Sequence, residues 1–274
     1  MSDFIGRTQR FADQIDPWKA EALHHTLDLG DDAPGPGAPL PHFWHWIYFL
    51  ESRPLSDLGR DGHPATGGFI PDLGLPRRMW AGSRVEFLAP LAIGASAERV
   101  ATITQVEEKT GRTGPLAFVT IQYEVFGPDS LCIREEQDIV YREDPKPGAP
   151  GKPPAMAPTG EARSVEISYS TTKLFRYSAL TFNGHRIHYD RDYTMEVEGY
   201  AGLITHGPLI AQEMLTFGET APGRSAAHYS YRAMSPAFDF ETLTYCANDR
   251  EDGVDLWVRG PDGRLIMTGE IAYG

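Results

Sequence analysis

Two kinds of hydrophobic spacing alternate along the chain. "ERVATITQVEEKT" and "PLAFVTIQYEVFG" carry apolar residues at every second position, as do "ETLTYCAND" and "VDLWVRG" nearer the C-terminus. A period of two puts the apolar set on one face of an extended chain, which predicts strands. Gly-Pro-Asp twice falls between such runs, in Val125 to Tyr141 ("VFGPDSLCIREEQDIVY") and in Val258 to Tyr273 ("VRGPDGRLIMTGEIAY"), and predicts a hairpin each time. Two other segments are apolar with helical spacing. In "HGPLIAQEMLTFGE", Pro208 sits just inside the start, where a helix does not need the N–H that proline lacks. In "LPHFWHWIYFLES", Phe43, Trp46, Ile47 and Leu50 share one helical face. "FRYSALT" reads as a further strand.

The two halves are degenerate copies of each other. Each has one apolar helix followed by long antiparallel strands, and the Gly-Pro-Asp hairpins match. "RVEFLAPLAIG" likewise parallels "YSYRAMSPAFDFETL", each an extended run interrupted by proline. A sheet wrapped around a helix gives both elements a shared core, so the expected class is α+β with this unit built twice. Between the copies lies Arg142 to Ala162, with six prolines and almost no large apolar residue, which reads as an extended linker. The expected division is residues 1–144, a linker over 145–163, and 164–274.

Composition narrows the partners. The chain has 274 residues and a net charge of −13, which argues against nucleic acid, whose phosphates need a basic surface. An anionic small ligand is still compatible, because a few local arginines suffice to hold it. No apolar run reaches the roughly 18 residues of a membrane span, and the N-terminus has no apolar core of a secretory signal. The two cysteines, Cys132 and Cys246, have no metal-ligand spacing and read as buried thiols in a reducing cytoplasm.

The chemistry concentrates in "FNGHRIHYDRDY", Phe182 to Tyr193, which is followed by the mostly apolar "LITHGPLIAQEML", Leu203 to Leu215. His188 follows Asn183 by five residues, and His206-Gly207 opens the predicted helix. The first N–H groups of a helix have no internal partner and lie at the positive end of its dipole. Glycine there lets a carbonyl approach, so the Gly207 N–H is a candidate oxyanion donor.

"SALTFNGHRIHYD" with "GLITHGPLIA" resembles the hydratase motif of the MaoC-like, R-specific enoyl-CoA hydratase and dehydratase superfamily. "LPRRMWAGSRVEF", "GRTGPLAFVTI" and "EEQDIVYRE" resemble its double-hotdog branch, which takes in 3-methylfumaryl-CoA (mesaconyl-C4-CoA) hydratases, itaconyl-CoA hydratases and mitochondrial 3-hydroxyacyl-thioester dehydratases. The resemblance implies a double hotdog, two copies of a long helix wrapped by an antiparallel sheet. The superfamily motif has an aspartate, four residues, then a histidine. Here the histidine is His188 and the aspartate position is Asn183, an amide that takes no proton from water at neutral pH.

By that resemblance the chain is expected to be a hydro-lyase adding water to an α,β-unsaturated acyl-CoA, most closely 3-methylfumaryl-CoA or a related C5 dicarboxylic thioester, to give a citramalyl-CoA. His188 is the expected base, because its ordinary pKa lies near the working pH. Asn183 orients the water, and the Gly207 N–H holds the enolate. Asp190 is the nearest carboxylate should one be needed. Arg186, His206, Tyr189, Arg77 and Arg78 are the expected substrate contacts, Arg186 for a free carboxylate of the acyl group and the pair Arg77 and Arg78 for phosphate or carboxylate. No metal and no cofactor beyond the CoA of the substrate is expected, and a homodimer is. The first half carries no motif of this kind. Its counterpart, Asp16 to Gly35, offers only His24 and His25, expected exposed or core-satisfied. The first hotdog is therefore expected to be a non-catalytic wall of the substrate channel. Three alternatives stay open: a 3-hydroxyacyl-thioester dehydratase of fatty-acid synthesis, a thioesterase, and a non-catalytic thioester-binding subunit.

Overall fold

The computed structural model describes residues 2–111, 114–143, 153–219 and 224–274. Among the described residues ten strands form one continuous sheet. In the first half these are β1 (Thr8–Gln14), β2 (Arg77–Phe87), β3 (Ser96–Gly111), β4 (Gly114–Phe126) and β5 (Leu131–Arg142). In the second they are β6 (Arg163–Ser168), β7 (Ala226–Ala233), β8 (Thr242–Asp249), β9 (Gly253–Arg259) and β10 (Leu265–Tyr273). The spatial order is β1-β3-β4-β5-β2-β7-β10-β9-β8-β6, so the second half repeats the first in reverse about a central seam. At the seam β2 and β7 pair antiparallel, with Ser83 opposite Tyr231 and Val85 opposite Tyr229. Both Gly-Pro-Asp hairpins form, joining β4 to β5 and β9 to β10.

The helices partly depart from expectation. α3 (Gly207–Gly218) is the predicted helix with proline in its first turn, and it is buried from Leu209 through Leu215. Such all-round burial marks it as the central helix of the second unit. Mid-helix Glu213 is satisfied there by the Tyr169 and Tyr245 hydroxyls and the Lys173 ammonium.

The first unit has no matching helix at Leu40 to Ser52. A single 3₁₀ turn, Trp44–Ile47, stands there instead, between Phe43 (φ 71°) and Phe49 (φ 58°) in left-handed conformations. Phe43, Trp44, Ile47, Tyr48 and Phe49 are all buried, so the segment packs on every side rather than along one face. The helix of that half is α1 (Pro17–Leu27), capped by Asp16, whose side chain accepts from the Trp18 N–H. On it His24 is buried and bonded to the Asp31 carbonyl (2.9 Å), while His25 is exposed.

"FRYSALT" is likewise helix, not strand. α2 (Thr171–Leu180) starts at Ser170, which caps the Lys173 N–H, and buries Leu174, Tyr177 and Ser178 at helical spacing. Part of the proline-rich connection, 144–152, lies outside the described residues. Beyond it, Met156 bridges to Arg264, and the backbone of Ala157 and Ala155 bonds along the β9–β10 hairpin. Both cysteines are free and buried, and among the described residues no helix is long and apolar enough to cross a membrane.

One core runs through both halves, joining Ile15, Leu23 and Phe43 to Leu209, Met214 and Tyr229. Within it Glu135, 1% exposed, accepts from the His45 ring (Nε2, 2.8 Å), the Trp46 indole N–H (3.1 Å) and the Ser83 hydroxyl. This network fixes the irregular 43–49 segment where a central helix would otherwise stand. Glu135→Ala strands three buried donors, so it is expected to lower unfolding free energy by about 3–5 kcal/mol, read as a lower urea midpoint at unchanged slope.

Candidate active site

The motif starts where α2 ends. Phe182 takes a left-handed conformation (φ 49°), and the Asn183 N–H returns to the Ser178 carbonyl (2.8 Å), closing the helix end. The Asn183 side-chain oxygen then accepts the His185 N–H (3.0 Å). That turn leads into a 3₁₀ turn, Arg186–His188, ending in the buried imidazole of His188.

His188 is fixed from two sides. Its Nδ1 lies 2.7 Å from the Ile204 carbonyl, which only accepts, so the proton of the neutral ring is on Nδ1 and Nε2 keeps its lone pair. Its face stacks on His206, with centroids 3.7 Å apart and planes at 17°. His206 is fully buried and bonds the Ser178 hydroxyl through Nε2 (2.8 Å), while its Nδ1 has no protein partner among the described residues. The residue after His206 is Gly207, which opens α3. Two segments the sequence keeps 18 residues apart thus meet, with a proton acceptor beside a helix-opening amide.

The first half completes the surroundings. A Cβ on Gly207 would lie 2.9 Å from two ring atoms of Trp80 on β2, so the indole sits directly over this glycine. Gly62 and Gly184 touch backbone to backbone: a Cβ on Gly62 would meet the Gly184 carbonyl oxygen at 2.1 Å. The Arg186 N–H also bonds the Asp61 carbonyl (2.9 Å). This contact brings Asp61 and His63 against the motif. Asp61 Oδ2 is 3.0 Å from His63 Nδ1, and the His63 ring lies 4.2 Å from His185, which meets His188 edge-on at 5.5 Å.

The result is a row of four imidazoles that fold uncharged. Burial lowers all four: His188 to about 4, His185 to about 2, and His63 and His206 below the usual range. The Arg78 guanidinium further opposes protonation of His63 and His185. Burial alone would raise the Asp61 carboxyl, but the hydrogen bonds it accepts from the His63 ring and backbone N–H hold it low.

Between about pH 6.5 and 4 the unfolded chain binds protons that the folded chain refuses, so stability falls as pH drops through that window. Denaturation midpoints taken at pH 7.5 and pH 5 are expected to show a clearly lower value at pH 5.

Asp61, His63 and His185 bring ligand-type atoms within 4.8 Å of one another, a spacing that could hold a metal ion. The neighbouring Arg78 charge and the existing Asp61–His63 bond both oppose a cation there.

The remaining sequence candidates are placed as follows. Asp190 is tied to Arg186 and to the Tyr193 N–H, so both its carboxylate oxygens are already engaged. Arg186 gives Asp190 two hydrogen bonds (3.0 and 2.7 Å) and lies over the Tyr193 ring. Arg77 is buried and paired with Glu198 through its side chain (3.0 Å) and its carbonyl (2.8 Å). Arg78 is half-buried and makes no ion pair among the described residues. Tyr189 is exposed and donates to the Gly184 carbonyl. A recess of about 440 Å³ lies elsewhere, at the β2–β7 seam, lined by Arg84, Glu136 and His228 among others. Asp61, His63 and Trp80 were not singled out from the sequence. The only local signal was Asp-Gly-His inside the Gly- and Pro-rich 59–76 stretch.

Residues 43–239 match the family model of hydroxyacyl-thioester dehydratase type 2, and the chain belongs to that family, whose members are hydro-lyases. The mesaconyl-C(4)-CoA hydratase of Chloroflexus aurantiacus is 44% identical over 274 residues, covering 99% of this chain and 97% of that one. HtdX of Mycobacterium tuberculosis superposes with a TM-score of 0.67 at 18% identity, covering 97% of this chain and 99% of that one. A second M. tuberculosis protein, described as having a double hotdog fold, superposes at 0.58 with 14% identity over 98% and 96% of the two chains. The α+β double hotdog expected from the sequence is therefore the fold.

Proposed function

We propose that the protein hydrates mesaconyl-C4-CoA (3-methylfumaryl-CoA), or a near relative among C5 dicarboxylic enoyl-CoA thioesters, to a citramalyl-CoA. The observation that carries the mechanism is the stacking of His188, its Nε2 unprotonated, on the residue that precedes Gly207. The substrate is supported by the 44% identity to the Chloroflexus hydratase over nearly all of both chains.

In this reading water is held at Nε2 of His188 with help from Asn183, whose side-chain oxygen keeps a second lone pair. As the water oxygen bonds to C3, one of its protons passes to Nε2. The C2–C3 π electrons move toward the thioester oxygen, which faces the Gly207 N–H at the positive end of α3. The imidazolium then returns the proton to C2. Its low proton affinity suits that return, because burial disfavours the charged ring. The scheme uses no cofactor beyond the CoA of the substrate. His206 and Tyr189 line the approach. The reading places the enzyme in the cytoplasm as a homodimer, and light scattering tests the latter.

The test is a panel of enoyl-CoA and 3-hydroxyacyl thioesters, on CoA and on carrier protein, followed by loss or gain of the conjugated absorbance and by product mass. Hydration of mesaconyl-C4-CoA with a mass gain of one water is expected. A preference for 3-hydroxyacyl carrier-protein thioesters would instead support the dehydratase reading that the family model suggests. Release of free thiol would point to a thioesterase, and no change with any thioester would sink the enzymatic reading.

A further inference from the structure

We propose that Arg78 is the receptor for the free carboxylate of the acyl group, and so the residue that makes the site select a dicarboxylic over a monocarboxylic enoyl thioester. The inference rests on the hydratase reading and deepens it.

Strand geometry places Arg78. Residues two apart on a strand share a face, so Arg78 lies on the same side of β2 as Trp80, which covers Gly207. The two Cα positions are roughly 7 Å apart along the strand, the order of length of a four-carbon dicarboxylic acyl chain. A thioester oxygen at Gly207 would thus put a distal carboxylate beside Arg78. Across the ladder Arg78 pairs in register with Tyr141, which is 1% exposed. The Tyr141 hydroxyl is buried against the Arg78 guanidinium and finds no acceptor for its own proton among the described residues. Next to it is a guanidinium with no carboxylate within ion-pair distance among the described residues. His63 and His185, whose protonation the Arg78 charge opposes, connect this corner to His188.

Chemistry settles what is missing. A guanidinium and a phenolic O–H on one side of a site are donors in want of an acceptor, and a carboxylate serves both. Water alone would meet them less well, because leaving a charge half-buried without a counter-ion is unfavourable. The two neighbouring arginines are already engaged, Arg77 by Glu198 and Arg186 by Asp190. A monocarboxylic acyl chain would set a methyl group against the guanidinium, so the same feature rejects the wrong substrate.

The test compares mesaconyl-C4-CoA with an enoyl-CoA of the same chain length ending in methyl, using wild type, Arg78→Gln, Tyr141→Phe and Arg186→Gln. Wild type is expected to favour the dicarboxylic thioester. Arg78→Gln should lower kcat/KM for it by about 10²–10³-fold, mostly through KM, and leave the methyl-ended thioester within a few-fold. Tyr141→Phe should narrow the preference by a smaller factor, and Arg186→Gln should leave it unchanged. An equal loss on both thioesters, with the thermal midpoint held, would mean a structural or catalytic role and overturn the proposal. So would an unchanged preference in Arg78→Gln, or a preference that moves with Arg186 instead. Failure of the hydratase reading is seen separately, as wild type that hydrates neither thioester, and takes the proposal with it.

Discussion

His188→Ala is expected to fold and to lose about 10²–10⁴-fold in kcat for hydration, with KM for the thioester within a few-fold. The direction follows from one atom: Nε2 is the nitrogen left unprotonated when Nδ1 donates to Ile204, so in the proposed mechanism it is the one that takes the water proton. Removing the ring also leaves the Ile204 carbonyl without its donor and His206 without its stacking partner. A buried carbonyl left unpaired costs about 1–3 kcal/mol, so some loss of stability is expected alongside. His188→Asn separates the effects, since its amide can still donate toward Ile204 while offering no base. Both variants should be equally inactive, with Asn the more stable in urea. Recovery of turnover in Asn would show that the ring serves only to fill space, and the assignment of the base would fall.

Gly207→Ala is expected to cost about 100-fold in kcat, with only a modest drop in thermal midpoint. The added methyl would lie 2.9 Å from two atoms of the Trp80 indole. That ring has little room to yield, being flanked by Trp46 at 5.7 Å and Tyr231 at 4.8 Å. The opening turn of α3 must therefore retreat, and its N–H leaves the position where an enolate oxygen forms. A misplacement of about 1 Å at such a donor is enough for a loss of this size, while overpacking itself destabilises by about 1–3 kcal/mol. Steady-state kinetics on the best thioester measures it. A kcat within threefold of wild type would remove Gly207 from the mechanism.

The strands were legible because their apolar positions alternate and their turns carry Gly-Pro-Asp, signals that need no tertiary context. The opening of α3 was legible from Pro208, and the resemblance pointed to His188 as the residue that the fold brings against His206. The 43–49 segment misled because apolar residues on one helical face and apolar residues buried on all sides look alike in a short run. α2 misled for a related reason: its capping serine lies upstream of the apolar stretch, and only burial of Leu174, Tyr177 and Ser178 fixes the period. Asp61, His63 and Trp80 lie over 100 residues from the motif. They arrive there through a glycine-to-glycine contact and the β2–β7 ladder, neither of which leaves a local trace. Whether an arginine is available was equally unreadable, because Glu198 and Asp190 engage Arg77 and Arg186 only once the chain has folded.

The ladder between Gly82–Glu86 and His228–Arg232 joins the two hotdogs into a single sheet. An assembly of two identical hotdogs must present the same residues on both sides of its axis, so any change made for one role appears twice. Tethering the two lobes in tandem lifts that symmetry. One lobe is then free to give up its central helix and supply Trp80, Arg78 and the Asp61–His63 loop, while the other keeps the helix that opens at Gly207. Either lobe made alone would expose a raw strand edge at β2 or β7 and lose the other lobe's side of the His188 surroundings.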